Sequence, residues 1–499
     1  MKAVKTLLSL LLAAVLLAAV PTVHAVESDY TAVEPIRFNN PDFIRGMDVS
    51  SVISLEQSGV KYYDENGTEK DLFRILSENG VNYIRVRVWN HPYDAEGKGF
   101  GGGNSDVEKA AEIGRRAARY GMKLLVDFHY SDFWADPGKQ KAPAEWSGLS
   151  VAQKAQRVYD FTLDALTAIK NAGADIGMVQ VGNETTNGVC GVYDWADRAQ
   201  IFNAGASAVR AFDKNVLVAI HFTDPQKTDV IKWLTDQLDV YKVDYDVLAT
   251  SYYPYWHGNL SNLTAVLDYA AEKYGKLGMV AETSYANTLT DTDSHPNTVA
   301  VGANDQGADL LWDFSVQGQA DEVRGVMNAV NNVSGGKGLG VFYWEGAWIT
   351  VGDTTGLQGD VLTEQIEKNK TLWEENGSGW AASYSAAYDP DDAGKWYGGS
   401  AVDNQAFFDS KGRALPSLRV FRDVLPAIWG DVDGDRAVDV SDAAIIQRCE
   451  VGIPTAVTEA QIACGDVNAD GEVDVLDATW IQRYDADLPA PERIGTEIM

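Results

Sequence analysis

Residues 178–184 read Met178-Val179-Gln180-Val181-Gly182-Asn183-Glu184, and their character changes along the stretch. The first four are typical of a buried strand, and the last three supply a glycine, an amide and a carboxylic acid. Seven other stretches have the same β-rich character and alternate with helical segments. In chain order the eight stretches are Phe43–Ser50, Tyr83–Trp89, Lys123–Tyr130, Met178–Glu184, Val216–Phe222, Val247–Tyr253, Gly278–Tyr285 and Gly340–Gly346. Eight strand–helix units predict an α/β fold, a (β/α)8 TIM barrel.

The C-terminal ends of these stretches change from aliphatic to polar or aromatic residues. Examples are Asp127-Phe128-His129-Tyr130, Val280-Ala281-Glu282 and Tyr343-Trp344-Glu345. The strand ends of a (β/α)8 barrel converge on one rim, and the active sites of this fold lie on that rim. The pattern therefore predicts an enzyme.

The start of the chain and its charge limit where the protein acts. Lys2 and Lys5 precede the apolar run Leu7–Val20, and Val23-His24-Ala25 has the small-residue pattern of a cleavage site. Residues 1–25 are therefore predicted to be a signal peptide, and the mature protein is predicted to be secreted and extracellular. The net charge of −31 argues against nucleic acid and anionic membranes as partners. Three cysteines do not make a disulfide framework, so stability is expected to come from large cores and bound metal.

Two glutamates at strand ends have the chemistry of a glycosidase. Retaining cleavage of a glycosidic bond needs one protonated and one ionised carboxyl group about 5–5.5 Å apart. We predict that Glu184 is the acid/base and Glu282 the nucleophile, and that Arg85 and Arg87, on one face of the second strand, keep the nucleophile ionised. A single glutamate at a strand end is more often a salt-bridged rim residue, so the prediction depends on the pair.

Polar and aromatic residues around these glutamates predict a sugar-binding groove. Asn183 is expected to bind a sugar 2-hydroxyl, His221 to hold the proton of Glu184, and Tyr253 to lie near Glu282. Most single tryptophans belong to a core, but several on one predicted rim favour rings on which sugars stack. The predicted substrate-binding residues are Arg87, His129, Asp132, Trp134, Asn183, His221, Tyr253, Trp344, Trp348 and Trp396.

Five motifs give the sequence a specific resemblance. They are Arg45-Gly46-Met47-Asp48-Val49-Ser50, Ile84-Arg85-Val86-Arg87-Val88-Trp89-Asn90, Asp127-Phe128-His129-Tyr130-Ser131-Asp132, Gln180-Val181-Gly182-Asn183-Glu184 and Glu282-Thr283-Ser284-Tyr285. From about Phe43 to Val424 the chain resembles glycoside hydrolase family 53. The resemblance implies an arabinogalactan endo-β-1,4-galactanase that cuts the galactan side chains of pectin, with the two glutamates in the roles above and a catalytic domain at residues 26–428.

The same resemblance implies a structural calcium ion held by the loop after the seventh strand. The candidate ligands are Asp291, Asp293, His295 and Asn297, with Ser400 and Asp403 as further candidates. Alternating oxygen-bearing residues suit a hard cation, although histidine is an unusual ligand for calcium. The alternative is an ordinary turn rich in Asp and Ser.

A repeat near the C-terminus has the spacing of a calcium-binding loop. Gly430-Asp431-Val432-Asp433-Gly434-Asp435 recurs 35 residues later as Gly465-Asp466-Val467-Asn468-Ala469-Asp470. Both copies carry oxygen ligands at loop positions 1, 3, 5, 9 and 12, as an EF-hand-type loop requires. The predicted ligands are Asp431, Asp433, Asp435, Asp439 and Asp442 in the first loop, and Asp466, Asn468, Asp470, Asp474 and Asp477 in the second.

From Gly430 to Leu488 this repeat resembles a dockerin, because each loop leads into a single helix. The resemblance implies a small α-helical, calcium-binding dockerin domain at residues 429–490, which binds a cohesin domain on a scaffoldin. Arg436 stands where Gly471 makes the sharp turn in the second loop, so weaker calcium binding is expected in the first. The alternative, a solvated acidic tail, would not repeat its apolar and Asp positions in register.

Two other functions remain open on the sequence. Another retaining barrel hydrolase, such as a β-mannanase or a xylanase, would share the pair of glutamates. A non-catalytic polysaccharide-binding component of a scaffold would keep the groove and lose cleavage. The motifs favour galactan, and the presence of both Glu184 and Glu282 with Asn183 favours catalysis.

Overall fold

The structure is a computed structural model that describes residues 30–300, 310–455 and 457–498. The predicted signal peptide, residues 1–25, lies outside these ranges. No helix within them has the length and apolar character that crossing a membrane requires.

Eight parallel strands form a closed barrel in sequence order, and β1 pairs with β8 to complete it. The strands are β1 Ile44–Asp48, β2 Tyr83–Val88, β3 Lys123–Phe128, β4 Ile176–Val181, β5 Leu217–Phe222, β6 Val247–Ser251, β7 Leu277–Thr283 and β8 Gly338–Tyr343. Each lies within or beside one of the eight predicted stretches, so the predicted (β/α)8 barrel is confirmed.

Helices on the outside of the barrel connect successive strands, and the last two in this part of the chain follow β8. In the barrel part of the chain they are α1 Val52–Gln57, α2 Leu72–Glu78, α3 Val107–Arg119, α4 Val151–Asn171, α5 Trp195–Phe212, α6 Thr228–Val240, α7 Leu260–Tyr274, α8 Val316–Asn331, α9 Gly359–Asn376 and α10 Val420–Asp423. Local sequence fixes where they begin. The Asp106 side chain caps α3, and Ser150 forms a capping box with Gln153 at the start of α4.

The barrel interior is filled by side chains that alternate along the strands. Leu125, Met178, Met279 and Phe342 belong to this inner core, and the other apolar side chains of the strands join the larger core that includes the helices. A Cβ atom on Gly46 would lie 2.2 Å from the Phe342 ring, so only glycine fits there. Because the interior is packed, the polar strand ends open only at the rim.

The C-terminal part is a small α-helical domain. Helices α11 Val440–Glu450 and α13 Val475–Asp485 pack on one core, and the short α12 Glu459–Ala463 lies between them in the chain. The core side chains come from both copies of the repeat and include Val432, Ile446, Val467 and Ile481. The repeat is therefore a folded domain with its own core, as predicted.

Candidate active site

A cleft of about 450 Å3 opens at the C-terminal rim of the barrel and is lined by both Glu184 and Glu282. Its volume lies within the usual range of ligand sites. Aromatic side chains form much of its wall, and these are Trp134, Tyr253, Trp256, Trp344 and Trp380. The structure thus brings the two predicted catalytic residues together in an aromatic groove.

Glu282 lies in β7 and is held by a cation and a hydroxyl. Arg85 Nη2 donates to Oε1 at 2.8 Å, and the Tyr253 hydroxyl donates to Oε2 at 2.9 Å. Arg85 is itself fixed by Asp48 at 2.9 Å and by Asp127 at 2.8 Å. Burial raises the pKa of Glu282, while Arg85 and the Tyr253 hydroxyl favour the ionised form. Both oxygens of the predicted nucleophile are therefore oriented by groups that stabilise its charge.

Glu184 follows β4 in a left-handed backbone conformation, with φ of 46°. This conformation costs a non-glycine residue on the order of 1–3 kcal/mol and persists only where the surroundings enforce it. Ser251 Oγ donates to Glu184 Oε1 at 2.6 Å, and Ser251 pairs with Glu282 across β6 and β7. Burial and then the charge of Glu282 raise the pKa of Glu184 to about 8. Burial and the neighbouring charge therefore both favour the protonated form of Glu184.

His221 acts behind the cleft. It is fully buried, and its Nε2 lies 2.9 Å from Ser251 Oγ. Since Ser251 donates to Glu184, its oxygen accepts the Nε2 hydrogen, and His221 Nδ1 accepts from the backbone N–H of Glu184 at 3.2 Å. Burial lowers the pKa of His221 well below its usual value, so the ring is neutral. The expected substrate contact of His221 is thus corrected: it reaches the Glu184 carboxyl through Ser251.

Asn183 lines the cleft and is held on both sides of its amide. Its Oδ1 accepts from Arg85 Nη2 at 2.9 Å, and its Nδ2 donates to the Ala135 carbonyl at 2.8 Å. The side chain is 5% exposed, so one face remains open to the cleft. This orientation is compatible with the predicted contact to a sugar hydroxyl.

The aromatic wall is built on Trp134. Its ring stacks on Trp380 with centroids 4.5 Å apart and an interplanar angle of 13°. The Arg87 guanidinium lies 4.5 Å from the centroid of the Trp134 ring. Trp380 was missed in the sequence because it lies in an irregular segment between α9 and α10, where only its aromatic character marks it. Arg85 was expected to act on Glu282 but not placed among the binding residues.

The structure also corrects the roles predicted for Arg87 and for a second residue of the wall. Arg87 lines the cleft, but its guanidinium pairs with Glu345 and donates to Ser51 at 3.0 Å rather than contacting Glu282. Only Arg85 of the predicted pair therefore stabilises the nucleophile. Trp348 is the second: it is fully buried behind the wall and donates to the Ser378 carbonyl at 3.0 Å.

The remaining predicted residues divide between the cleft and other surfaces. His129, Tyr253 and Trp344 line the cleft as expected. Asp132 lies beside a separate cavity, where its carboxylate accepts from the backbone of Ala144 at 2.8 Å, so it holds a loop and not a sugar. Trp396 is 72% exposed and lies outside the lining of the cleft.

The predicted calcium loop after β7 brings three carboxylates together. Oxygens of Asp291, Asp293 and Asp403 lie within 4.8 Å of one another. Burial and then the charge of Asp403 raise the pKa of Asp293 to about 8. Asn297 donates to Asp403 at 2.6 Å, and its buried Oδ1 has no hydrogen-bond partner among the described residues. Crowded carboxylates beside an unpaired amide oxygen are the donor set that a hard cation prefers, so these residues fit calcium.

Two other predicted ligands hold this loop through their backbone. The backbone N–H of Ser400 donates to Asp293 Oδ2 at 2.8 Å, and that of His295 donates to Oδ1 at 2.8 Å. The His295 ring packs beside Trp373, with centroids 6.3 Å apart. The loop after β7 and the segment around residue 400 therefore meet at Asp293.

The two repeated loops of the C-terminal domain are built alike. Asp442 Oδ1 accepts from Val432 and Asp433, and Asp477 Oδ1 accepts from Val467 and Asn468. In the first loop oxygens of Asp431, Asp433 and Asp435 lie within 4.8 Å of one another. A hard cation suits this cluster of carboxylates.

Arg436 occupies the sharp turn of the first loop, and it keeps the turn. Its φ is 71° and that of Gly471 at the equivalent position is 90°, so both adopt the left-handed conformation. Arginine in this conformation costs about 1–2 kcal/mol, which glycine avoids. The second loop carries Ala469 in the same conformation, with φ of 65°, where the first has Gly434, so each loop has one such non-glycine residue and the two paths are alike.

Known proteins resemble both parts of the chain. Residues 429–484 match the dockerin type I domain, a domain that binds calcium. An endo-beta-1,4-galactanase of Bacillus subtilis is 57% identical over 78% of this chain and 88% of that protein. An arabinogalactan endo-beta-1,4-galactanase of Humicola insolens is 32% identical over 61% of this chain and 90% of that protein.

Solved structures give the same relationship. The catalytic domain of an Ignisphaera aggregans family 53 enzyme superposes with a TM-score of 0.67 and 37% identity, covering 78% of this chain and all of that one. A fungal beta-1,4-galactanase gives a TM-score of 0.57 at 28% identity, covering 75% of this chain and 98% of that one. Residues 44–421 match the model of glycosyl hydrolase family 53. This chain is a glycoside hydrolase and belongs to that family.

Proposed function

We propose that this chain is a retaining endo-β-1,4-galactanase of type I arabinogalactan, secreted and attached to a cellulosome-type scaffold by its dockerin. The observation that carries the proposal is the pair of glutamates in one cleft, each held by different groups. Glu184 has its pKa raised to about 8, while Arg85 and Tyr253 donate to both oxygens of Glu282. Residues 26–428 would form the catalytic domain and residues 429–490 the dockerin.

The proposed reaction has two steps at one anomeric carbon. Glu282 attacks that carbon while Glu184 gives its proton to the glycosidic oxygen, so the glycosidic bond breaks and a galactosyl ester of Glu282 forms. Glu184, now ionised, takes a proton from a water molecule. This water attacks the anomeric carbon from the face that the leaving sugar occupied, and it displaces Glu282. The β configuration is kept and both carboxyl groups return to their initial states. Arg85 and Tyr253 stabilise the Glu282 carboxylate before attack and after its release.

The names of the relatives support galactan as the substrate. We expect the purified chain to lower the viscosity of linear β-1,4-galactan rapidly and to release reducing ends, with little action on mannan, xylan or carboxymethylcellulose. Viscosity that falls before much sugar is released would identify internal cleavage. Galactan left intact beside a rapidly cut xylan or mannan would overturn the substrate and keep the barrel chemistry.

The activity should depend on pH through both glutamates. The reaction needs Glu184 protonated and Glu282 ionised, so kcat/KM should fall above about pH 8 as Glu184 ionises, and fall at low pH as Glu282 gains a proton.

Ser251→Ala tests which group sets the alkaline limb. Ser251 donates to Glu184 and favours its ionised form, so the variant should move the alkaline limb to higher pH. Ser54→Ala is the matched control, since it removes a buried hydroxyl that donates to the Gly103 carbonyl instead. If the alkaline limb of the pH profile stays in place in Ser251→Ala, ionisation of Glu184 does not set that limb.

The dockerin would dock the enzyme on a cohesin domain of a scaffoldin. Val440, Val475 and Leu476 begin the two helices and are about half exposed, so they offer apolar side chains to a partner. The charge crowded in the repeated loops supports calcium at both. We further propose calcium at the Asp291, Asp293 and Asp403 cluster, where it would stabilise the catalytic domain.

Removing calcium should therefore have two separable effects. A chelator should abolish binding to a panel of cohesins and lower the temperature at which galactanase activity is lost. A site loaded at 100 times its dissociation constant contributes about 2.7 kcal/mol.

Two variants separate these effects. Asp293→Asn should lower the inactivation temperature by several degrees and keep cohesin binding, and Asp466→Asn should weaken cohesin binding and keep the inactivation temperature. If Asp293→Asn and the parent respond alike to the chelator and inactivate at the same temperature, the catalytic-domain calcium is excluded.

A further inference from the structure

The strained backbone at Glu184 requires something to hold it. The next residue, Thr185, is fixed to the barrel, because its N–H and its hydroxyl both donate to the His221 carbonyl, at 2.7 and 2.8 Å. Thr186 is fixed beside it, since its hydroxyl accepts from the Thr223 N–H at 2.9 Å. These bonds use the N–H and side-chain groups of the segment and leave its carbonyls to another partner.

That partner is Arg198, in the first turns of α5. Its Nη2 donates to the Thr185 carbonyl and, at 3.4 Å, to the Thr186 carbonyl. The side chain is 3% exposed, and its guanidinium lies 4.0 Å from the ring of Trp195. Thr185 is therefore clamped at both ends, by the barrel through its N–H and by the helix through its carbonyl.

The position of Arg198 is unfavourable for folding on three counts. The cation is buried, and burial lowers its pKa to about 10 with no acidic group in the described part of the chain to offset this. Its buried Nε also has no hydrogen-bond partner among the described residues. In addition, a cation near the N-terminus of a helix opposes the helix dipole. A buried ion without a counter-ion lowers the stability of the fold. The structural role that remains for Arg198 is to hold the two carbonyls.

We propose that Arg198 is a positioning residue of the acid/base, which keeps Glu184 in its strained conformation by holding the two carbonyls that follow it. Without Arg198 the segment relaxes, and the Glu184 carboxyl leaves the place from which it protonates the glycosidic oxygen. The Glu282 carboxylate is held by Arg85 and Tyr253 instead, and neither residue takes part in this clamp. The inference rests on the role proposed for Glu184.

The test compares two substrates that differ in their need for a proton. When galactan is cut, the leaving group is a sugar alkoxide that must be protonated. When a 2,4-dinitrophenyl β-1,4-galactobioside is cut, the leaving group is a phenolate that is stable without a proton. The value of kcat/KM reports the first bond cleavage for both. Arg198→Met should lower kcat/KM on galactan by about 10- to 100-fold, as for a misplaced catalytic group, and lower it less than about 3-fold on the aryl substrate.

Reference variants make the outcome specific. Glu184→Ala should give the same selective loss in a stronger form. Arg210→Met, the same substitution about three turns along α5 where the guanidinium pairs with Asp244 and Asp246, should change neither value. If Arg198→Met does not fold, as judged by circular dichroism, Arg198→Lys keeps the charge with fewer donors and should give a smaller selective loss.

Each result decides the matter. An equal loss on both substrates, or no loss on galactan, in a folded Arg198 variant would overturn the positioning role. If Glu184→Ala lowers kcat/KM equally on both substrates, the acid/base assignment fails, and the proposed function fails with it. Selective loss in Glu184→Ala without selective loss in Arg198→Met or Arg198→Lys would sink the Arg198 inference alone.

Discussion

Glu282→Gln should lower the rate of galactan cleavage by about 10^5-fold or more, the scale reached when a catalytic nucleophile is lost. Glutamine keeps the size of the side chain and removes the charge, so no galactosyl ester forms. The oligosaccharide should still bind, because the aromatic wall of the cleft is unchanged. Reducing-sugar release and calorimetric binding of galacto-oligosaccharides measure the two effects.

Glu322→Gln is the matched control for this variant. Glu322 lies in α8 behind β7, is fully buried and accepts from the Thr283 hydroxyl at 3.2 Å, one residue from the nucleophile. The same substitution there removes a carboxyl group outside the cleft, and activity should stay within a few-fold of the parent. Glu282→Gln that keeps more than about 1% of the activity would overturn the nucleophile assignment.

Glu184→Ala should lower galactan cleavage by about 10^2- to 10^4-fold, the usual contribution of a general acid. Added azide needs no general base, so it should attack the galactosyl ester of Glu282 and restore turnover of the aryl substrate. Because azide enters from the face that water uses, the product should be the β-galactosyl azide. Chromatography with NMR of the product distinguishes the anomers, and an α-galactosyl azide would reverse the roles of Glu184 and Glu282.

Much of the fold could be predicted because the strands of a barrel are buried on both sides. They appear as continuous apolar stretches, and their polar ends mark the rim. The C-terminal repeat was equally readable, since two copies of one loop carry their apolar and Asp positions in register. The motif residues Glu184, Glu282 and Asn183 lie at the ends of predicted strands. Their common cleft was therefore predictable.

Side chains on loops were less predictable, because a loop's path decides which way they face. Trp348 and Trp396 follow the last strand, yet one is buried behind the wall and the other is on the surface. Asp132 follows a strand but turns to cap backbone groups. Trp380 reaches the cleft from a segment without periodicity. The separate duties of Arg85 and Arg87 depend on which carboxylate each one meets, and strand alternation gives only their common face.

The most direct test of the account follows the first products of linear β-1,4-galactan by proton NMR. Retaining internal cleavage predicts that new reducing ends appear as the β anomer within the first minutes, with the α anomer arising only later by mutarotation. An α anomer that appears first would contradict the retaining mechanism with Glu282 as the nucleophile. The absence of new reducing ends from galactan would contradict the proposed activity itself.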